Sequence, residues 1–333
     1  MRVQATTAAT RDFVACFGEA LIDFRAEHGR DGTRRFVEQP GGAPANVAVG
    51  VAALGGRARF IGMLAQDMFG DALHAALATR GVDVSQVRRT GEAPTALAFV
   101  ALAADGERSF SFYRPPAADL LFQDGDFVEH AFDDVAVLHV CSNSMTAPAI
   151  AATTLQAMAR AAHAGALVSL DLNLRPALWP RGVDPTPTLW QALAAARLIK
   201  LSAEEFAFLT GDGDLAGTIA HLFAGDAAVV LVTDGAAPMR WWTRTRAGTA
   251  DTFAVETIDT TAAGDACVAG LLQRLVARGI DADGLAAAFE DDAAREDLLR
   301  HAAAAGALAT TRHGAFDAMP DAAAVRALLE TAR

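Results

Sequence analysis

The chain has 333 residues, enough for two average domains or for one large α/β domain with an appendage. It is 52% hydrophobic and 20% charged, which supplies a buried core and excludes a disordered or coiled-coil chain. A net charge of −12 and a pI near 5.1 weigh against nucleic acid and anionic membrane as partners, so an anionic substrate has to be met by local positive potential.

Cys16, Cys141 and Cys267 form no CxxC pair, so neither a zinc site nor a disulfide framework is indicated, and each reads as a small buried apolar residue. The first twelve residues lack a hydrophobic signal core and no run is long enough to span a membrane, so a cytoplasmic protein is expected. Lys200 is the only lysine, a bias that genome composition explains as readily as function.

Residues 13–17 predict a buried strand ending at Gly18-Glu19, and 21–24 continue extended. Asp23 lies just past this strand, where α/β proteins place ligand contacts; taken alone, an ordinary loop aspartate is the simpler explanation. Residues 34–38 predict another short strand. Gly41-Gly42-Ala43-Pro44-Ala45-Asn46 then opens a helix through Val47, Val51 and Leu54 that closes at Gly55-Gly56. The glycines permit close backbone approach, and Pro44 suits a first helical turn. Asn46 brings a two-way hydrogen-bonding amide suited to sugar hydroxyls; an asparagine cap on a glycine-rich start is the structural alternative.

A strand ends at 60–62, and Gln66-Asp67-Met68-Phe69-Gly70 leads into a helix to Arg80. Residues 96–100 and 109–112 flank Asp105-Gly106, a hairpin signal. With the extended segments near Asp23 and Arg35, this piece predicts a small β-sheet lid built from insertions at about 22–40 and 94–116. Arg114-Pro115-Pro116 follows at a hinge-like place.

From Val135 the strand–helix alternation resumes, with a strand at 135–140, a helix at 147–164 and a strand at 167–170. That strand ends in Asp171-Leu172-Asn173-Leu174-Arg175-Pro176, where alternate polar residues point one way and Pro176 stops further pairing. A site there is weighed against a solvated loop. Residues 198–201 predict a short strand, and Ser202-Ala203-Glu204-Glu205 starts a helix stopped at Gly211. Ser202 and Glu205 have capping-box spacing, a complete structural explanation. A strand at 229–232 ends at Thr233-Asp234-Gly235, with a hairpin partner at 239–243.

Asp259-Thr260-Thr261-Ala262-Ala263-Gly264-Asp265 is the stretch around which the rest is organised. Thr257-Ile258 reads as the end of an extended segment, and 266–278 as a helix with apolar Val268, Leu271, Leu272 and Leu275. A turn of small residues feeding a helix N-terminus makes a seat for an anion. Asp265 in that first turn can hold a hydroxyl beside the anion, the geometry of phosphoryl transfer; an aspartate N-cap is the structural alternative. A long alanine-rich helix at about 295–310 ends in Thr311-Arg312-His313-Gly314-Ala315, and a last helix lies near 322–329.

In this order and at this separation, the motifs at 41–46 (with Gly55) and 259–265 resemble the two signatures of the ribokinase/PfkB family of sugar kinases, and the resemblance covers nearly the whole chain. No Walker P-loop or dinucleotide fingerprint competes with it. The resemblance implies an α/β, ribokinase-like, doubly wound and mostly parallel sheet flanked by helices, as a single domain over 12–333 with the small β lid. It implies in-line transfer of the ATP γ-phosphoryl group to a sugar hydroxyl. Asp265 takes the place of the catalytic base, with the amides around Ala262, Ala263 and Gly264 as anion hole. Asp23, Gly41, Gly42, Asn46, Arg114, Asp171 and Arg175 are the implied sugar contacts. Lys200 is among the implied ATP-binding residues, with Thr233 and Gly235 placed near the nucleotide phosphates and Ala304 and Leu308 along the adenine. Glu205 is placed to organise Mg²⁺ and its waters, although Ser202 stands where the common N-x-x-E pattern has asparagine. Asp259, Thr261 and the turn at 312–315, including Gly314, are placed to give oxygens to a monovalent cation, K⁺. Lids of this kind pair into dimers in some members, so a homodimer is among the expected states.

Within the family, Phe110-Ser111-Phe112-Tyr113-Arg114-Pro115 and the start at 16–23 resemble bacterial fructokinases most, which implies D-fructose phosphorylated at O6. A 2-keto-3-deoxygluconate kinase, which shares a stretch like 171–175, is the alternative; its carboxylated sugar wants an arginine fork, for which Arg175 or Arg114 is available. A nucleoside kinase is the third reading, without a clear aromatic pair for the base. A non-catalytic sugar-binding regulator on the same fold is the alternative of another class, against which the presence of Asp265 argues.

Overall fold

Every residue of β1 (Phe13–Phe17) is buried, and its side chains alternate between two cores: Phe13, Ala15 and Phe17 enter one, Val14 and Cys16 the other. A strand buried on both faces belongs in the middle of a helix-covered parallel sheet. The computed structural model describes residues 11–28, 33–102 and 108–331, with that strand in this place. The expected turn at Asp105-Gly106 lies outside the described residues.

The chain continues as β2 (Leu21–His28), β3 (Arg34–Gly41), α1 (Ala43–Ala53), β4 (Arg57–Ala65), α2 (Met68–Thr79), β5 (Val87–Thr90), β6 (Leu97–Leu102) and β7 (Arg108–Tyr113). The second half holds β8 (Val135–Cys141), α3 (Pro148–His163), β9 (Leu167–Asp171), α4 (Thr186–Ala195), β10 (Leu198–Ser202), α5 (Ala203–Thr210), α6 (Leu215–Leu222) and β11 (Val229–Asp234). It closes with β12 (Ala237–Trp242), β13 (Ala247–Ala250), α7 (Ala263–Ala277), α8 (Leu285–Glu290), α9 (Asp292–Ala309) and α10 (Ala322–Thr331).

Nine strands form the main sheet in the order β13-β12-β11-β10-β9-β8-β1-β4-β5. Neighbours from β11 to β5 are parallel, and β12 and β13 add an antiparallel edge. One face packs against α1, α7 and α9 through Val47, Val51, Leu271, Leu275 and Leu298. The other packs against α3 and α4 through Ile150, Ala157, Leu189 and Leu193. The chain leaves β1 toward β4 in one direction and returns to β8 on the other side. The loops after β1 and β8 therefore part at the carboxyl edge of the sheet, where such folds bind ligands.

The lid is a separate four-stranded sheet, β3-β2-β6-β7. β2 and β3 pair antiparallel from Leu21↔Gly41 to His28↔Arg34, and β2 runs parallel to β6. One lid face carries an aromatic ladder, with Phe99 stacked on Phe24 at 5.1 Å and edge-on to Phe36 and Tyr113.

Several boundaries differ from the expectation. α4, α6, α8, β5 and β13 were not anticipated: α4 opens with Pro187 among threonines, and α6 carries Gly217 beside its Asp214 cap. Residues 251–257 form no strand, so Thr257-Ile258 does not end one, and Ile258 is exposed. β4 runs on past Gly62 to Ala65, and α7 starts at Ala263. No helix among the described residues is long and apolar enough to cross a membrane.

Candidate active site

The turn at 259–265 meets the expectation in form. Ala262 caps α7 in the left-handed region at φ 57°, a conformation that costs an alanine roughly 1–2 kcal/mol. The Ala263 amide donates to the Thr260 carbonyl at 3.3 Å. With the Ala263 amide so engaged, the first-turn amides left for the anion seat expected at Ala262, Ala263 and Gly264 are those of Gly264 and Asp265, which a helix start cannot satisfy internally.

Asp265 is buried, and Asn46 of α1 donates to its Oδ2 from Nδ2 at 2.7 Å. This bond joins the two sequence motifs across the molecule. Asn46 Oδ1 is buried with no protein partner. An unmet acceptor of this kind costs about 1–3 kcal/mol, which a ligand hydroxyl beside it recovers. Burial pushes Asp265 up to about 6, against the Asn46 bond; Asp171 adds to the rise, while Lys200 and Arg175 oppose it. Asp23 of β2 is pushed up to about 7, first by burial and then by the Asp265 charge, with Arg175 opposing. Asp23, Asp265 and Arg175 thus act on one another at the mouth between lid and sheet.

Gly41 and Gly42 make this approach sterically possible. A Cβ on Gly41 would lie 2.4 Å from Asp23 Oδ2; one on Gly42, at φ 108°, would lie 2.6 Å from the Glu19 carbonyl. Arg175 is exposed in the loop after β9, where its Nη1 donates to the Leu174 carbonyl at 3.3 Å.

Arg114 is not open to a sugar, and its expected substrate contact is corrected. It is 2% exposed and donates to Asp119 from Nε at 2.9 Å and from Nη2 at 2.5 Å, with Nη1 3.3 Å from Thr146 Oγ1. Glu19, at the end of the first buried strand, accepts from Asn143 Nδ2 at 3.0 Å and from the Ala43 amide at 3.3 Å. Burial raises the Glu19 carboxyl, and the Arg114 charge opposes that rise. This buried network lies where β2 leaves the core for the lid and where β3 and β7 return from it. Sequence reasoning missed Glu19, Asp119 and Asn143 as a group.

Asp171 and Lys200 are likewise engaged with each other. Lys200 Nζ donates to the two Asp171 oxygens at 3.1 and 3.0 Å, and both residues are buried in the sheet. Asp171 is therefore a partner of Lys200 and not a group open to sugar. Lys200 stands under the first turn of α7 and does not line the cavity described below. Glu205 accepts from the Leu174 amide and the Ser202 amide, each at 2.7 Å, and Ser202 Oγ accepts from the Glu205 amide at 3.1 Å. The capping box is thus realised, and Glu205 also ties the loop after β9 to α5. Among the described residues no group of three or more His, Cys, Asp and Glu is arranged to hold a metal. A largely hydrated Mg²⁺ leaning on phosphates needs no such cage.

A cavity of about 500 Å³ opens beside the α7 start, lined by Thr233, Gly235, Thr260, Ala263, Gly264, Ala303, Gly306, Ala307 and Thr310, with Met239 and Phe253 among its apolar walls. Thr233 and Gly235, expected near the nucleotide phosphates, are part of this lining. Ala304 and Leu308 are not: they pack with Leu54 and Val325 on the other side of α9. On a helix one position turns a side chain by about 100°, so the lining falls to Ala303 and Ala307 instead. Beyond the cavity lies a turn in which Asp259 Oδ1 accepts from the Thr261 amide at 2.8 Å. Its Oδ2 accepts from the Gly314 amide at 3.2 Å and lies 3.5 Å from His313 Nδ1.

Residues 11–322 match the pfkB family carbohydrate kinase. Fructokinase-1 of Zea mays is 40% identical over 98% of this chain and 100% of that protein. The crystal structure of fructokinase with bound ATP from Xylella fastidiosa superposes with a TM-score of 0.93 at 49% identity, covering 97% of this chain and 99% of that one. A fructokinase double mutant from Vibrio cholerae O395, in a form with fructose, ADP and potassium ion bound, gives a TM-score of 0.85 at 33% identity, covering 96% and 99%. Both signature motifs meet at the Asn46–Asp265 bond inside a sheet and lid of this architecture, and the chain belongs to the pfkB family of carbohydrate kinases.

Proposed function

We propose that the chain is an ATP-dependent fructose kinase that transfers the γ-phosphoryl group to O6 of D-fructose, working as one unit over 12–333 with its lid. The observation that carries the reading is the buried Asp265 carboxylate, held by Asn46 beside the unmet Asn46 Oδ1 and in the first turn of α7. The sugar hydroxyl lies against Asp265, which orients it and accepts its proton. Gly264 and Asp265 amides face the phosphoryl oxygens. Because such transition states are loose, charge stabilisation outweighs the strength of the base. The cavity beside α7 suits the nucleotide, with the α9 face at Ala303 and Ala307 along the base and Thr233 and Gly235 toward the phosphates. Glu205 would hold Mg²⁺ through water, and the ion would supply charge neutralisation at the phosphates; Asp259, Thr261 and the turn at Gly314 would hold K⁺ at the same end of the site.

The charge balance favours a neutral sugar over 2-keto-3-deoxygluconate. Arg114 is committed to Asp119, and Arg175 already faces two carboxylates, Asp23 and Asp265. A carboxylated sugar would add a third negative charge against one guanidinium. The non-catalytic reading is weakened by the same carboxylate, since a buried Asp265 held up near 6 costs stability that a mere binding protein has no reason to carry.

ADP production measured with ATP and Mg²⁺, with and without K⁺, across fructose, 2-keto-3-deoxygluconate, ribose, glucose and adenosine tests the reading. Fructose is turned over preferentially, and K⁺ raises the rate. Preference for the keto acid reassigns Arg175 to its carboxylate, and no turnover from folded, sugar-binding protein favours the regulator. The pH profile gives a second check. Asp265 is active when ionised, so kcat/KM falls as the pH drops through about 6, with Asp23 rounding the limb near 7. A profile flat down to ordinary carboxylate pH contradicts the assignment of Asp265 as base.

A further inference from the structure

Lys200 is the only lysine among 28 basic residues, and the chain buries it in β10. Its Nζ would lie 3.0 Å from a Cβ placed on Gly264. The missing side chain of Gly264 is thus what admits the ammonium to the first turn of α7. An ammonium is a compact point charge, whereas a guanidinium is a broad planar fork. The space behind Gly264, already shared with Asp171 at 3.0 Å, accounts for the lysine in a chain that otherwise uses arginine. A helix N-terminus is itself positive. A second positive charge behind it is unfavourable unless an anion is due at that spot, and Asp171 offsets it in the meantime.

We propose that Lys200 is a positioning residue for phosphoryl transfer: its ammonium, seated behind Gly264, reinforces the positive seat at the α7 N-terminus where the transferred phosphoryl group carries its charge. The inference rests on the kinase reading above. The groups facing Lys200 are Asp171 from β9, Glu205 from α5 and Asp265 and Cys267 from α7, with His139 from β8 nearby and kept neutral by burial. Those facing Asp265 are Asn46, Asp171, Lys200, Arg175 and Asp23, with the buried thiols of Cys16 from β1 and Cys141 from β8. On Asp265 the pair acts in opposite senses, Lys200 favouring the ionised form and Asp171 the protonated one.

The test compares Lys200→Met, Asp171→Asn and the double variant in the full chain. Lys200→Met lowers kcat by about tenfold or more, short of the about 10²–10³ lost with a direct donor. It moves the acid limb of the rate profile to higher pH, and Asp171→Asn moves it to lower pH. The double variant leaves neither charge unpaired and regains the thermal stability lost by Lys200→Met, yet it remains about tenfold slower than Asp171→Asn alone. Equal rates for those two variants, or an acid limb unmoved by Lys200→Met, reduce Lys200 to a counter-ion for Asp171 and overturn the proposal. Should Lys200→Met not fold, the double variant against Asp171→Asn decides. Calorimetry with ADP and with a non-hydrolysable ATP analogue separates failure of this proposal from failure of the reaction. Wild-type protein that binds the analogue without phosphorylating any sugar overturns the reaction. The seat is then judged by affinity alone: loss of Lys200 weakens the analogue more than ADP, and an equal effect on both overturns it.

Discussion

Asp265→Asn loses at least about 10²–10⁴-fold in turnover and gains thermal stability at neutral pH. The first half follows from the role proposed for Asp265, orienting the sugar hydroxyl and taking its proton, while Asn46 can still donate to the new amide oxygen. The second half follows from linkage. The Asp265 carboxyl is held at about 6 in the folded chain, above its ordinary 3.8, so the folded state binds this proton more tightly than the unfolded one. The penalty is absent below the ordinary value, grows as pH rises toward 6 and is complete above it, on the order of 3 kcal/mol. Thermal melts at about pH 7.5 and about pH 4, run beside steady-state kinetics, check both halves. The variant melts higher than wild type at the first pH and alike at the second. Near-normal turnover removes Asp265 from the chemistry; a lower melting point at neutral pH removes the linkage argument.

Arg114→Leu destabilises the fold by about 3–5 kcal/mol, the range for breaking a buried pair from one side. The replacement is apolar and fills part of the space, but it leaves Asp119 without its guanidinium and takes from Glu19 the charge that holds its carboxyl down. Denaturant titrations read the loss. It lessens in acid, where the Glu19 carboxyl, raised by burial, accepts a proton, and adding Asp119→Leu restores part of it. A loss below about 1 kcal/mol, as for an exposed ion pair, contradicts the buried network.

What could be read from the sequence was local. The alternating strands, the small-residue turn before α7, the glycine-rich start of α1 and the capping box at Ser202 and Glu205 each depend on neighbours within a few positions. The lid was legible because its hairpin and its two early strands interrupt the β-then-α rhythm. Partner choice was not legible. Nothing near Arg114 in the chain distinguishes a guanidinium open to sugar from one closed on Asp119, and Asp171 meets Lys200 only because β9 and β10 are neighbours. Ala304 and Leu308 missed the cavity by one helical position, since an alanine-rich helix has small residues on every side and little pattern to orient it. α6 was hidden by its glycine, whose low propensity was overridden by the Asp214 cap and by packing of Leu222.

The solitary lysine also makes the site observable in a way most kinases do not permit. With one ε-amine in the whole chain, selective ¹⁵N-lysine labelling places a single side-chain nitrogen resonance in the spectrum, and it needs no assignment. That nitrogen lies against the first turn of α7, so its chemical shift and proton exchange report on that turn directly. Amine-directed reagents have only this buried group and the chain's α-amino group to attack, and the rate at which they reach Lys200 times the opening of the sheet beneath the first turn of α7.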